Sequence, residues 1–297
     1  MTKYLPISIF MLTLLSSCVE SFNIETNNSP PVIVIYGCLT NETAFHSVKV
    51  SASSPYFDTV PNKGISNATV TVTSSENSVF HFKETDSVPG LYLTVNRETG
   101  IPGTTYSLSV EVDFDNDGVN ERYTALSTMP DIINVDSIEV KKTELMGYKF
   151  FNLLFFAQDP PDENYYLGKY RINDSAVLSS INRFVPMQDA AFNGQYINGQ
   201  VIQRFWDRTE KERLESDGDD DEYARGRVYL SSGDTVTFSL CHIEKDYYNF
   251  INQCQNEMNG ENPFFGGPAA NIITNISNGG RGFFTSYPVS VAKATAE

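Results

Sequence analysis

Three aspartates at alternate positions give this sequence its clearest potential for binding chemistry. Asp113, Asp115 and Asp117 are followed by a glycine, which is the spacing found in the first half of a calcium-binding loop. In such loops alternate carboxylates converge on the cation, and the glycine permits a sharp turn. The twelfth position of a complete loop holds a bidentate glutamate, whereas this sequence has Thr124 there. Two interpretations stay open: a calcium site, and an Asp-Gly hairpin tip with a solvated acidic surface.

Three aromatic residues are candidates for binding contacts. Trp206 is the single tryptophan and could stack on a sugar ring, although a lone tryptophan more often packs in a core or interface. Phe264 and Phe265 are bulky neighbours in a loop rich in proline and glycine. The acidic run at residues 217–222 could hold a cation, but runs of like charge are usually solvated loops. None of these residues identifies a small-molecule ligand.

Residues for catalysis do not form a recognisable set. The three histidines, His46, His81 and His242, have no second histidine at metal-binding spacing, and no Gly-Xaa-Ser-Xaa-Gly segment occurs. Carboxylate pairs are numerous, but an acidic chain supplies them by chance. We therefore predict a protein that is not an enzyme and has no cofactor other than a calcium ion. A buried cleft that holds two carboxylates with raised pKa values would reopen the hydrolase alternative.

The amino-terminal segment has the pattern of a lipoprotein signal. Lys3 is followed by a mostly apolar stretch at residues 4–15, which is too short to span a bilayer. Leu-Leu-Ser-Ser-Cys at residues 14–18 has the spacing of a lipoprotein cleavage box, and an ordinary secretory signal is the alternative. We expect residues 1–17 to be removed and Cys18 to carry acyl chains such as palmitate. Each buried methylene then adds about 0.8 kcal/mol to membrane binding.

The elements that must position these residues are mainly β-strands. Residues 18–31 are polar and predict a tether. Residues 32–131 predict a β-sandwich of immunoglobulin or transthyretin type. In this part of the chain, short segments of alternating apolar and polar residues are separated by Pro and Gly turn signals. The β-branched run at residues 32–36 predicts a strand buried on both faces. The net charge of -16 argues against nucleic-acid binding, which needs clustered lysine and arginine.

Residues 132–297 predict a second, β-rich domain with one amphipathic helix near residues 244–259. In that helix apolar residues recur on one face, and Gly260 is a suitable stop. The charged segment at residues 203–214 indicates a short helix, and Asn198-Gly199 indicates a tight turn. A helix would separate Cys241 from Cys254 by more than a disulfide allows, so we expect free thiols. The segments that predict strands are 137–141, 150–158, 164–171, 227–230, 236–240, 272–276 and 282–287.

Several short motifs occur in a characteristic order. They lie at residues 65–72, 90–92, 102–106, 159–166, 246–248, 262–264 and 275–280. Together with the signal they resemble the Bacteroidota lipoproteins grouped as a domain of unknown function (DUF four-two-four-nine). The resemblance implies an outer-membrane lipoprotein, often encoded beside a TonB-dependent receptor, with no known reaction or ligand. We therefore expect a lipid-anchored accessory subunit of an outer-membrane β-barrel complex; a carbohydrate-binding adhesion module is the alternative.

Overall fold

The computed structural model describes residues 30–54, 62–173, 175, 180–216, 227–259 and 272–297. The predicted signal, Cys18, the acidic run at 217–222 and the pair Phe264 and Phe265 lie outside these residues. The described chain is mainly β, as predicted, and neither of its helices has the length and apolar character that crossing a bilayer requires. The strands are β1 (Ile33–Thr40), β2 (Ser47–Ala52), β3 (Thr69–Ser74), β4 (Val79–Glu84), β5 (Leu91–Thr94), β6 (Thr105–Val112), β7 (Glu121–Thr128), β8 (Ser137–Leu145), β9 (Tyr148–Gln158), β10 (Tyr165–Ile172), β11 (Val185–Gln188), β12 (Tyr196–Asp207), β13 (Tyr229–Leu230), β14 (Thr235–Ile243), β15 (Arg281–Tyr287) and β16 (Val289–Thr295); the helices are α1 (Thr209–Ser216), α2 (Lys245–Asn259) and a 3-10 turn at Ile181–Arg183.

Eight strands form a curled sheet around the first core, in the order β15-β1-β2-β5-β4-β3-β6-β7. The first half of β4 pairs with β3 and its second half with β5, so this strand turns the corner between two faces. Strands β1 and β6 alternate buried and half-buried residues, as period-two patterns predict. One face of β1 is fully buried, and the other is only half-buried, because helix α2 covers part of it. The prediction that β1 is buried on both faces is therefore wrong. The predicted sandwich is present with its sheet curled toward a barrel.

A strand from the end of the chain completes this first sheet. β15 runs parallel to β1, with register from Val34 opposite Arg281 to Thr40 opposite Tyr287. It also lies beside β7, where the Ser286 N–H donates to the Ser127 hydroxyl over 2.8 Å. The predicted domain division at residues 131 and 132 stays a prediction, and this strand pairing crosses it.

The segment at residues 272–276 contains no strand, which corrects the sequence prediction. Asn275 instead clamps two strands from between them: its Nδ2 donates to the carbonyls of Leu126 at 3.1 Å and Phe284 at 2.7 Å. Its Oδ1 accepts the Phe284 N–H at 2.9 Å. Residues 272–276 therefore form a connecting segment and not a strand. The side-chain amide of Asn275 makes the hydrogen bonds to Leu126 and Phe284 that the backbone of a strand would otherwise make.

The second core lies between two four-stranded sheets, β11-β10-β14-β16 and β13-β12-β9-β8. On one side the sandwich is closed by a bridge between Val140 and Ala296. On the other side β11 is an edge strand, and β12 is unpaired opposite it before Trp206 in the described chain, because β13 pairs only with Trp206 and Asp207. Strand β12 continues through the predicted turn, because Gly199 adopts a φ of 75° and the register shifts at a bulge there. The predicted helix in residues 203–214 begins later, at Thr209.

Helix α2 confirms the predicted amphipathic helix and joins the two cores. Its buried face carries Tyr247, Phe250 and Ile251, which pack against β10, β14 and β15. Met258 lies on the same face by its spacing in the sequence, but its side chain is 49% exposed, so the apolar face is not buried along the whole helix. Helix α2 is thus held over its first three turns, because the Gln255 side-chain amide also donates to the carbonyls of Ile181 and Phe184.

Candidate functional site

The acidic loop between β6 and β7 brings the predicted aspartates together. One carboxylate oxygen from each of Asp113, Asp115, Asp117 and Glu121 lies within 4.8 Å of the others. The turn orders these carboxylates, since the N–H groups of Asp117 and Gly118 donate to the two oxygens of Asp113, each at 3.0 Å. Glu121 was missed in the sequence, although it stands at the ninth loop position, which often contributes to calcium binding. Four clustered carboxylates are the donor set that a hard cation such as calcium prefers.

If the acidic loop binds calcium, millimolar calcium raises the melting temperature of the protein by several degrees. Bound calcium would stabilise the folded state by mass action and relieve repulsion among four carboxylates. Asp115→Asn should abolish the rise, because Asp115 is an exposed member of the cluster. Asp86→Asn, an exposed aspartate elsewhere, should leave it intact. Identical melting curves in calcium and in chelator would exclude the calcium site. The loop would then be interpreted as a hairpin tip with a solvated acidic surface.

Trp206 lines an open groove of about 540 Å³ near the end of β12. Its ring packs against Phe150 at 4.5 Å between centroids, and the Arg227 guanidinium lies 4.8 Å from the ring centre. Arg183 and Arg204 also line the groove, which makes it basic within an acidic protein. Arg204 could have been found from the sequence, because residues two apart on a strand share a face. A sugar that stacked on Trp206 would have to displace Arg227, and the carbohydrate interpretation stays a prediction.

A partly open cavity on the side of the second sandwich where β11 and β12 lie was not predicted from the sequence. It has a volume of about 310 Å³ and lies between the edges of β11 and β12. Its polar residues include Asp189, Gln188 and Gln200, and the Tyr166 ring forms part of the wall. The remaining wall is apolar: Phe155, Met187, Phe192, Ile197, Val201, Ile202 and Leu240.

Two buried carboxylates stand beside this cavity. Asp159 is 2% exposed; its Oδ1 accepts the Tyr166 hydroxyl at 2.6 Å and its Oδ2 accepts the Gly194 N–H at 3.1 Å. Burial raises the pKa of Asp159, and the charge of Asp189 adds to this effect. Asp189 is 3% exposed, and its Oδ2 accepts the backbone N–H of Asn164 at 2.7 Å and the Asn164 side-chain amide at 3.3 Å. Its Oδ1 has no hydrogen-bond partner in the described chain.

The cavity does not add a catalytic set to these carboxylates. Within the described ranges, the acidic loop is the one place where three or more metal-ligating groups converge. The predicted free thiols are confirmed for Cys38, Cys241 and Cys254, although only Cys241 is fully buried. Burial raises the pKa of Cys241 to about 12 and that of Cys254 to about 11, so neither is an activated nucleophile. That the protein is not an enzyme stays a prediction.

The motifs behind the resemblance hold turns in place. The Tyr92 hydroxyl accepts the Ala68 N–H at 2.9 Å and donates to the Ile65 carbonyl at 2.8 Å, which fixes the chain before β3. The Tyr106 hydroxyl accepts the Ile101 N–H at 2.6 Å, five residues upstream, in the manner of a tyrosine corner. These motif residues are accounted for by their structural hydrogen bonds.

Comparison with known proteins supports the resemblance to this family. No curated protein matches the chain. The family model described as "Domain of unknown function (DUF4249)" matches residues 19–293, which is most of the sequence. The chain therefore belongs to the DUF4249 family.

Proposed function

We propose that this protein is a lipid-anchored, non-enzymatic binding subunit of an outer-membrane complex, accessory to a TonB-dependent receptor or another β-barrel. The observation that carries the proposal is the Leu-Leu-Ser-Ser-Cys spacing at residues 14–18 after a short apolar segment. Membership of a family of unknown function is compatible with this role. The groove beside Trp206 supports it by offering an open contact surface lined by Arg183, Arg204 and Arg227.

Anchoring at Cys18 would keep both β units close to the bilayer. Ile33, the start of β1, lies fifteen positions after Cys18 in the sequence. Fully extended, that distance is about 50 Å at about 3.3 Å per residue. Confinement within this layer raises the effective concentration of the protein near a membrane partner. A weak contact is then sufficient to hold the two proteins together. The net charge of -16 favours lipid chains over a basic protein surface as the anchor.

Replacement of Cys18 by alanine tests the anchor. We expect Cys18→Ala to move the protein from the membrane pellet to the soluble fraction after fractionation, because no acyl chain can then be attached. Its melting temperature should not change. Cys254→Ala is the matched control, since it removes a thiol within the described fold, and this variant should stay in the pellet. If Cys18→Ala stays in the pellet after a high-salt wash, a protein partner and not a lipid holds the chain.

The accessory role is tested by mild detergent extraction of native membranes followed by affinity purification. We expect an outer-membrane barrel, identified by mass spectrometry as a TonB-dependent receptor or a related barrel, to co-purify in near-stoichiometric amount. Repeated recovery of the lipoprotein alone, with the Cys18 anchor intact, would contradict the accessory role while leaving the anchor itself standing.

A further inference from the structure

We propose that the cavity between β11 and β12 binds a small organic ammonium ion with an apolar body, and that Asp189 receives its N–H groups. This inference does not depend on anchoring at Cys18 or on a barrel partner. It rests on three features of the described residues: an unpartnered buried carboxylate oxygen, an excess of buried negative charge, and an apolar wall of fitting size.

The first feature is the unsatisfied oxygen of Asp189. Asn164 supplies two donors to Oδ2, and this fixes the orientation of the carboxylate. Oδ1 is buried without a donor, although Asp189 lies in the wall of the cavity. Buried carboxylate oxygens in folded proteins nearly always accept a hydrogen bond, because leaving one unpaired forfeits its hydration without compensation. Oδ1 has almost no accessible surface, so a ligand in the cavity would have to shift the atoms that cover it and then supply the donor that the protein does not.

The second feature is the charge around the cavity. Asp159 is a second buried carboxylate, linked to the cavity wall through the Tyr166 hydroxyl. Neither aspartate has a lysine or arginine partner among the ion pairs of the described chain. His242 lies beside Tyr166 with ring centroids 5.6 Å apart, and burial lowers its pKa, which disfavours the charged imidazolium there. A cationic ligand would balance this charge, whereas an anion would be repelled.

The third feature is the size and character of the wall. At about 30 Å³ for each water-sized atom, 310 Å³ accommodates a ligand of about ten non-hydrogen atoms. Phe155, Phe192 and Leu240 present apolar surface to such a body, and the Tyr166 ring can also attract a cation through its face. A water molecule could donate to Asp189 but would leave this apolar surface unfilled. The chemical class that meets all three features is an alkyl or aryl ammonium ion.

The probe for this proposal is 2-phenylethylammonium, titrated into the full-length protein by isothermal titration calorimetry at pH 7. We expect saturable binding with a dissociation constant at or below about 1 mM. The matched neutral and anionic compounds, 2-phenylethanol and phenylacetate, should bind at least about tenfold more weakly, since neither brings a positive charge to Asp189. Equal binding of the alcohol would overturn the assignment of a cation.

Asp189→Asn tests the residue that the proposal names. The amide retains the shape of the carboxylate but removes its charge, so we expect at least about a tenfold loss of ammonium affinity. Asp86→Asn, at an exposed aspartate between β4 and β5, is the matched control and should bind like the wild type. Ile202→Trp should block binding by filling the cavity while leaving Asp189 in place. Melting curves establish that each variant is folded. No saturable binding to the wild type, or unchanged binding to folded Asp189→Asn, would overturn the proposal and leave water as the occupant.

Discussion

Replacing Gly282 with alanine should destabilise the protein by about 3–5 kcal/mol, the largest single-residue effect that we expect in the first sheet. Gly282 has a φ of 97°, which side-chain-bearing residues rarely adopt. A Cβ at this position would lie 2.0 Å from the carbonyl oxygen of Ile35. Ile35 is fully buried in the centre of β1, so its backbone cannot move aside without opening the core. The substitution should therefore separate β15 from β1.

Gly279→Ala is the matched control for this substitution. Gly279 also has a positive φ, 73°, but no atom lies within 4 Å of the position of its Cβ. Gly279→Ala should lower the free energy of unfolding by only about 1–2 kcal/mol, the strain of the left-handed conformation. Urea denaturation followed by circular dichroism measures both values. Equal losses in the two variants would show that conformational strain, and not the collision with Ile35, limits this site.

Local patterns predicted the parts of the fold that depend on local physics. Strand β6 alternates along its whole length, so its buried face could be read from its own residues. Helix α2 could be predicted for the same reason, because spacing and end residues are properties of one segment. The acidic loop is equally local, since Asp113 to Asp117 lie within five residues. In each case the sequence neighbours are also the structural neighbours.

The remainder depends on contacts between distant segments. The parallel pairing of β15 with β1 joins residues such as Ile35 and Gly282, and no pattern within either segment encodes this register. The Asn-Gly signal at Gly199 predicted a turn, but pairing with β9 carries the strand through it as a bulge. Asp189 belongs to no motif, and its significance arises only when Asn164 and the cavity wall surround it. Thus the cavity could not be predicted from the sequence.

Tyr247→Ala should destabilise the protein by about 3–5 kcal/mol, the range for truncating a large buried aromatic residue. Tyr247 is fully buried on helix α2, with its ring 5.4 Å from that of Phe283 and 6.1 Å from that of Tyr287, both on β15. Its hydroxyl also hydrogen-bonds the Tyr36 hydroxyl on β1 at 2.5 Å. Tyr247 thus joins the helix to two strands of the first sheet.

Two further variants separate packing from hydrogen bonding. Tyr247→Phe retains the ring but leaves the Tyr36 hydroxyl without its partner, so it should cost about 1–3 kcal/mol. Tyr248→Ala changes the adjacent, half-buried tyrosine, whose ring is 5.0 Å from that of Tyr165, and should cost less than Tyr247→Ala. Comparable losses of unfolding free energy in Tyr247→Ala and Tyr248→Ala would mean that contacts along the whole helix, and not the buried Tyr247 ring in particular, hold α2 in place.

The same variants test whether the two cores unfold together. Trp206 is the single tryptophan and lies on β12, so its fluorescence reports on the second core, whereas circular dichroism reports on all strands. Tyr247 couples α2 to β1 and β15. If the two cores unfold cooperatively, the stability lost in Tyr247→Ala should therefore shift the unfolding transitions seen by fluorescence and by circular dichroism by the same amount. A shift confined to the circular dichroism transition would mean that the second core is stable without the first sheet. In that case the contacts of Tyr247 would stabilise the first sheet alone.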